Sequence, residues 1–324
     1  MAVLLFFFFL LFDISRAIPV LDFSKLNGHE RAKTLAHIAN ACEDWGFFHL
    51  VNHGIAEDLL ERVKKVSTDF YKLEREENFK NSKVVKLLNE TGDKKLENVD
   101  WEDIITLTDD NVNEWPSQTP GFKETFKEFR YELKKLAEKI LEVLDENLGL
   151  PKGHIKKAFD GEEGENNAFF GTKVSHYPPS PNPERVIGLR PHTDAGGLIL
   201  LFQDDKVGGL QVWKDGEWID VEPLKNTIVI SVGDQIEVIS NGLYKSAWHR
   251  VFSTTDSNRR SVASYYNPSH KATIAPAPQL MKETNEEWNQ AYPKFVFGDY
   301  MSVYYQQKFH PKEPRFQAVS AMGR

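Results

Sequence analysis

The apolar positions of this chain fall into two regimes. Between residues 30 and 150 they recur at steps of three and four: Leu35, Ile38, Cys42 and Trp45; Leu59, Leu60, Val63, Val66 and Phe70; then Phe122, Phe126, Phe129, Leu133, Leu136, Ile140, Leu144 and Leu148. That period predicts three amphipathic helices. Gly46 ends the first, and Gly149 with Pro151 stops the third. The long third stripe reads as core packing. Residues 18–23 and 47–51 read as short strands, and Asn52-His53-Gly54 as a turn. Residues 81–118 are rich in Asn, Asp, Thr and Pro and read mostly as loop, including 101–107.

After Phe169 the period shortens. Runs at 172–177, 198–203, 210–213, 218–221, 227–232, 236–240, 261–266 and 272–275 read as strands, with hairpin signals at Asp215-Gly216 and Asn241-Gly242. No long helix interrupts them, which argues against a parallel α/β sheet. Past Pro278 the composition turns helical and polar again. The predicted fold is mainly β with a helical annex: a double-stranded β-helix (jelly-roll) core, N-terminal helices and a C-terminal helical tail. The expected division is an apolar extension at 1–17, a helical region at 18–150, a metal-binding core at 151–278 and a tail at 279–324. The acidic stretch 161–167 (GEEGENN) lacks the alternating ligand spacing of a calcium loop and reads as a surface connection.

Composition narrows the class. With 324 residues, 40% hydrophobic and 12% aromatic, the chain has enough material for a large core. A net charge of -8 argues against a nucleic-acid or anionic membrane partner. A single cysteine, Cys42, rules out an intrachain disulfide and a cysteine-based zinc site and suits a reducing, cytoplasmic location. The apolar block at 3–12 is shorter than the about 20 residues of a membrane span. Its length suits a signal segment, which would mean a secretory route. It lacks a basic residue before it, which favours a variable extension or a misplaced start.

The candidate chemistry centres on Arg190-Pro191-His192-Thr193-Asp194-Ala195-Gly196-Gly197. Residues i and i+2 of a strand share a face, so His192 and Asp194 are expected to project together from a strand end. His249 follows in a strand-like run of the same β region and is the candidate third ligand. Two histidines and one carboxylate suit iron(II) with open positions for substrate and O2. Arg259 and Ser261 are again i and i+2 and offer a carboxylate or bicarbonate anchor. Lys173 and Tyr177 share a face of an earlier strand.

With those residues the chain resembles the plant non-haem iron(II) dioxygenases, and within them the 1-aminocyclopropane-1-carboxylate (ACC) oxidase family, from about Ile18 to Met322. The superfamily-level motifs are His192-Thr193-Asp194, His249 and Arg259-x-Ser261. More discriminating are Cys42 to Phe48 (CEDWGFF), Asp100-Trp101-Glu102, Phe170 to Ser175 (FGTKVS), His192 to Asp205 (HTDAGGLILLFQDD) and Lys312-Glu313-Pro314-Arg315-Phe316. The resemblance implies oxidation of ACC by O2 to ethylene, CO2 and cyanide, with Fe(II) as cofactor, ascorbate as co-substrate and bicarbonate or CO2 as activator. It implies ACC bound to iron through its amino and carboxylate groups. It also implies a polar shell of Lys173, Tyr177, Arg190, Arg259, Ser261, Lys312 and Arg315, and a tail whose loss from Lys308 onward removes turnover but leaves iron binding intact.

The pattern departs from the family at Pro191, at Asp103-Ile104-Ile105-Thr106, at Tyr265 and at Gln317. A 2-oxoglutarate-dependent hydroxylase or desaturase of a plant small molecule is the alternative, with Arg259, Ser261 and Tyr177 holding 2-oxoglutarate; Lys173 and the tail speak against it. A non-catalytic jelly-roll binding protein is disfavoured by the intact His192/Asp194/His249 set.

Overall fold

The computed structural model describes residues 17–162, 164, 167–284, 287–289 and 291–322. The apolar block at 3–12 and part of the 161–167 stretch therefore lie outside the described residues. In chain order the elements that matter are β1 (Val20–Asp22), α1 (Arg31–Asp44), β2 (Phe47–Val51), α2 (Glu57–Phe70), α3 (Glu76–Lys80), α4 (Lys83–Glu90), β3 (Asp103–Leu107), α5 (Phe122–Asn147), α6 (His154–Asp160), β4 (Phe169–Tyr177), β5 (Leu189–His192), β6 (Leu198–Gln203), β7 (Leu210–Lys214), β8 (Glu217–Asp220), β9 (Ile228–Val232), α7 (Asp234–Ile239), β10 (His249–Val251), β11 (Arg259–Asn267), β12 (Thr273–Ile274), β13 (Lys282–Thr284), β14 (Glu287–Asn289), β15 (Phe295–Val296), α8 (Phe297–Gln307) and α9 (Glu313–Met322).

Two sheets form the double-stranded β-helix. The larger has the order β1-β2-β9-β6-β11-β4-β3 and the smaller β5-β10-β7-β8. Apart from the β1–β2 pair, the ladders within them are antiparallel. The larger sheet crosses the compositional boundary near residue 150, because β1, β2 and β3 all join it. Its outer side is covered by α5, whose Phe122, Phe126, Phe129, Leu133 and Leu144 are fully buried. Arg130 on the same helix is buried too, and its guanidinium donates to the carbonyls of Leu107 and Phe170, to Thr172 Oγ1 and to Asp109. One side chain thus ties α5 to β3 and β4. At the helix end Gly149 takes φ 67°, and the Leu150 amide returns to the Asp145 carbonyl at 2.8 Å.

Several expectations need correction, beginning with residues 83–90, which are helix α4 and not loop. Residues 103–107 are not loop but β3, an edge strand whose Asp103 is buried against Arg75 at 2.7 Å. Residues 236–240 are not a strand but most of α7. Every residue from Asp234 to Ile239 is buried, so the segment has no solvent-exposed face, and periodicity cannot separate a short buried helix from a strand. Asn241-Gly242 consequently ends a helix instead of making a hairpin: both take positive φ, and the Gly242 amide donates to the Glu237 carbonyl. Asp215-Gly216 does join β7 to β8, with φ 49° and 87°. The region after Pro278 carries β13, β14 and β15 before its helices α8 and α9.

The packing of α5 makes a direct test. Phe129→Ala should lower the unfolding free energy by about 3–5 kcal/mol, whereas Tyr131→Ala, 64% exposed on the opposite face, should change it by less than about 0.5 kcal/mol. Chemical denaturation of both variants checks the pair.

Candidate metal centre

His192 is the last residue of β5 and His249 the first of β10, and the antiparallel register places them directly opposite one another. Their ring centroids are 4.2 Å apart. Asp194 follows two residues after His192, with carboxylate oxygens 3.8 Å from His192 Nε2 and 3.6 Å from His249 Nε2. The three donor atoms all lie within 4.8 Å of one another, and the three side chains are buried. Among the described residues no other group of three His, Cys, Asp or Glu converges in this way.

The donors are prepared for a metal. His192 Nδ1 donates to the Arg190 carbonyl at 2.8 Å, and His249 Nδ1 donates to the Ala247 carbonyl at 3.1 Å. Each bond fixes the tautomer and leaves the Nε2 lone pair free to ligate. Burial, reinforced by the neighbouring His249, pushes the His192 pKa well below its ordinary value, so that ring is neutral at physiological pH. The donor chemistry, two imidazoles and one carboxylate, fits a facial iron(II) site.

The loop between the ligands is rigidly held. Thr193 is fully buried. Its hydroxyl contacts Asp234 Oδ2 at 3.3 Å and accepts from Arg315 at 2.9 Å, while its carbonyl accepts from Tyr304 at 2.8 Å. The N-terminus of α7 finishes the frame: Asp234 N–H donates to the Asp194 carbonyl and Gln235 N–H to that of Gly196. A side chain at Gly196 or Gly197 would collide with Asn267 or Phe159, so glycine lets the loop pack that closely.

The triad stands at the wall of a cavity of about 50 Å3 between the two sheets. Phe47, Ile199, Leu201, Leu210 and Val251 give it apolar sides, and Lys173, Ser175, Tyr177, Arg259, Ser261 and Tyr265 give it polar ones. A roomier cleft of about 630 Å3 opens elsewhere, beside Arg31, His53 and Lys139, but no ligand set converges there, so volume alone does not locate the chemistry.

Lys173, Tyr177, Arg259 and Ser261 line the cavity, as the strand periodicity predicts. Arg259 is 1% exposed. It bonds Ser261 Oγ and Gln203 Oε1, its Nε has no hydrogen-bond partner, and no carboxylate among the described residues reaches it as an ion pair. The other three predicted residues are elsewhere. Arg190 is held by Asp100, at 2.9 and 3.2 Å, and lies 3.6 Å over the Phe309 ring. Lys312 pairs with Glu237 at 2.6 Å and bonds the Ser246 carbonyl. Arg315, fully buried, pairs with Asp234 behind the ligand loop. None of these three lines the cavity, and each is matched to a carboxylate outside it.

Two residues escaped the sequence reading. Glu102 bridges Lys173, at 2.8 and 2.9 Å, and the Tyr177 hydroxyl, at 2.6 Å. It stood inside the Asp100-Trp101-Glu102 motif, but spacing gave it no role. Lys308, mostly buried on the C-terminal arm, has its pKa lowered by burial and by the charge of Lys173, and it feels Glu102 and Asp194 as well. No local pattern marks it. Tyr265, the departure noted above, lies in the cavity wall, and burial together with Asp194 and Glu102 raises its phenol well above the ordinary value, keeping it protonated.

Comparison with known proteins agrees with this geometry. Residues 168–268 match the 2OG-Fe(II) oxygenase superfamily, and residues 18–123 match the N-terminal region of non-haem dioxygenases in morphine synthesis. The chain is 66% identical over 312 residues to 1-aminocyclopropane-1-carboxylate oxidase 5 of Arabidopsis thaliana, covering 94% of this chain and all of that one. It is 65% identical over 310 residues to 1-aminocyclopropane-1-carboxylate oxidase of Musa acuminata, with 94% and 100% covered. Among solved structures, JOX2 in complex with 2OG, Fe and JA superposes with a TM-score of 0.77 at 32% identity, covering 94% of this chain and 89% of that one. Triad, fold and relatives together place this chain in the 2OG-Fe(II) oxygenase superfamily and, within it, in the 1-aminocyclopropane-1-carboxylate oxidase family.

Proposed function

We propose that this chain oxidises ACC with O2 to ethylene, CO2 and cyanide, with ascorbate supplying the remaining electrons that reduce O2 to water and with bicarbonate or CO2 as activator. The observation that carries the reading is the convergence of His192, Asp194 and His249 on the wall of a small cavity that also presents Arg259 without an ion-pair partner. His192, Asp194 and His249 hold iron(II), which supplies the redox chemistry.

The remaining residues bind, orient and exclude water. Arg259 with Ser261 receives a carboxylate or bicarbonate, since a buried guanidinium without an anion is costly and its charge favours one. Lys173 presents an ammonium whose position Glu102 fixes. Phe47, Ile199, Leu201, Leu210 and Val251 surround the apolar ring carbons of the substrate and keep water away from the reacting atoms. Arg190, Lys312 and Arg315 act at one remove. Arg190, paired with Asp100, packs on Phe309, whose ring meets that of His192, and Arg315 steadies Thr193 between two ligands.

The reading makes three predictions. The iron(II)-loaded chain should release ethylene from ACC with ascorbate and without 2-oxoglutarate, measured by gas chromatography; succinate from 2-oxoglutarate with no ethylene would sink it. Asp194→Ala should lose iron(II) binding and turnover together, read by metal analysis after desalting. Arg259→Ala should lower kcat/KM by roughly 10- to 150-fold, the equivalent of about 1.5–3 kcal/mol for a charged hydrogen bond.

The tail gives a fourth expectation, revised from the sequence reading. Because Arg315 bonds Thr193, deletion from Lys308 onward should weaken iron(II) affinity as well as turnover. Equilibrium dialysis with iron(II) decides it, and unchanged affinity would show that the clamp has no hold on the ligands.

A further inference from the structure

We propose that Glu102 is a specificity-determining residue that excludes 2-oxoglutarate from the iron cavity, an inference that rests on the ACC-oxidising reading above. Glu102 immediately precedes β3. The β3–β4 register sets Asp103 opposite His176 and so brings Glu102 abreast of Tyr177. Its neighbours on both sides are fixed. Asp103 takes two hydrogen bonds from Arg75, at 3.0 and 2.7 Å, and the buried Trp101 donates its ring N–H to the Pro178 carbonyl at 2.8 Å. The Glu102 side chain is 7% exposed and that of Lys173 17%. The carboxylate is thus a pinned part of the site and not a mobile surface group.

Three consequences follow from its contacts. The Tyr177 hydroxyl carries one proton and donates it to Glu102 at 2.6 Å, so that proton is not available to a carboxylate held at Arg259. This matters because the Arg259 guanidinium lies over the Tyr177 ring, 5.2 Å from its centroid, and the pair would otherwise grip one carboxylate together. Second, the charge of Lys173 is already neutralised by Glu102. Third, among the residues lining the cavity, Arg259 is left as the one cation without an ion-pair partner.

A dicarboxylate that reaches from Arg259 to the triad brings two negative charges into a water-poor space. Arg259 compensates one of them. The iron(II) ion would take the other, but at the Arg259 end Glu102 withholds the Tyr177 proton and the Lys173 charge that would complete the grip on the far carboxylate. An amino acid that ligates iron through its amino and carboxylate groups brings no second carboxylate and makes no demand on Tyr177 or Lys173. Glu102 therefore selects between the two kinds of ligand by what it withholds from a second carboxylate.

The test uses the full-length, iron(II)-loaded chain under anaerobic conditions, with 2-oxoglutarate titrated into the native protein, Glu102→Gln and Glu102→Ala. The readout is the visible charge-transfer band that appears when a 2-oxo acid chelates iron(II). Glu102→Gln keeps the shape and an acceptor for Tyr177 but removes the charge; Glu102→Ala also frees the hydroxyl. Both should bind 2-oxoglutarate at least tenfold more tightly than the native chain, Glu102→Ala the more so. Structural damage would weaken binding and cannot produce this gain. Variants that match the native protein in melting temperature and iron content, yet bind 2-oxoglutarate no more tightly, would overturn the assignment. Ethylene release by the native chain separates the two failures: ethylene with no gain in the variants removes the Glu102 role alone, whereas a native chain that makes no ethylene removes the reading and the role built on it.

Discussion

The metal centre depends on one register, the pairing of β5 and β10 that sets His249 opposite His192. A strand shifted by one residue turns every side chain to the other face, and either imidazole would then leave the site. Both strands secure the arrangement with the same local device. In each, the imidazole Nδ1 returns to the carbonyl two residues earlier, Arg190 within β5 and Ala247 just ahead of β10. β10 is held on its far side by β7, with His249 paired to Val212. The pairing thus fixes where the rings lie, the backbone acceptors fix which nitrogen is free, and the site's chemistry follows from the two together.

Buried charge explains the rest of the site. Removing a charge from water is expensive unless a partner or ligand compensates it. Arg315 meets Asp234, Lys312 meets Glu237, Arg190 meets Asp100 and Lys173 meets Glu102. Arg259 lies on the cavity wall and finds only neutral acceptors, Gln203 and Ser261. Cations that find carboxylates within the protein serve to assemble it. Of these five, Arg259 alone keeps its electrostatic attraction for an anion from outside, which separates architecture from recognition by a criterion visible in the contacts.

Much of this was legible beforehand because it is periodic. The α5 stripe, the alternation from Lys173 to Tyr177 and from Arg259 to Ser261, and the His192/Asp194 pair all declare their faces through spacing. What stayed hidden lacks a period. α7 is buried on every side, so its six residues read equally well as a strand. β3 is an edge strand opened by a buried aspartate, a residue disfavoured in strands, and its identity rests on Arg75, 28 positions away. Glu102 is legible as a motif letter, but its function arises where β3 lies beside β4, a pairing that no local pattern encodes.

The C-terminal arm shows why residue type and place differ as evidence. Lysine and arginine in a tail suggest anion binding, and the resemblance to dioxygenases places Lys312 and Arg315 in the polar shell. Their physical setting gives them another task. Arg315 is fully buried, and its partner Asp234 also contacts Tyr300 and Thr193. Thr193 lies between His192 and Asp194, so the arm reaches two ligands through one residue. Displacing Arg315 would leave Asp234 as a buried, uncompensated charge beside that loop, an unfavourable state that the loop could relieve only by moving. The contacts thus give the tail a mechanical place behind the ligand loop, apart from the charges that line the cavity.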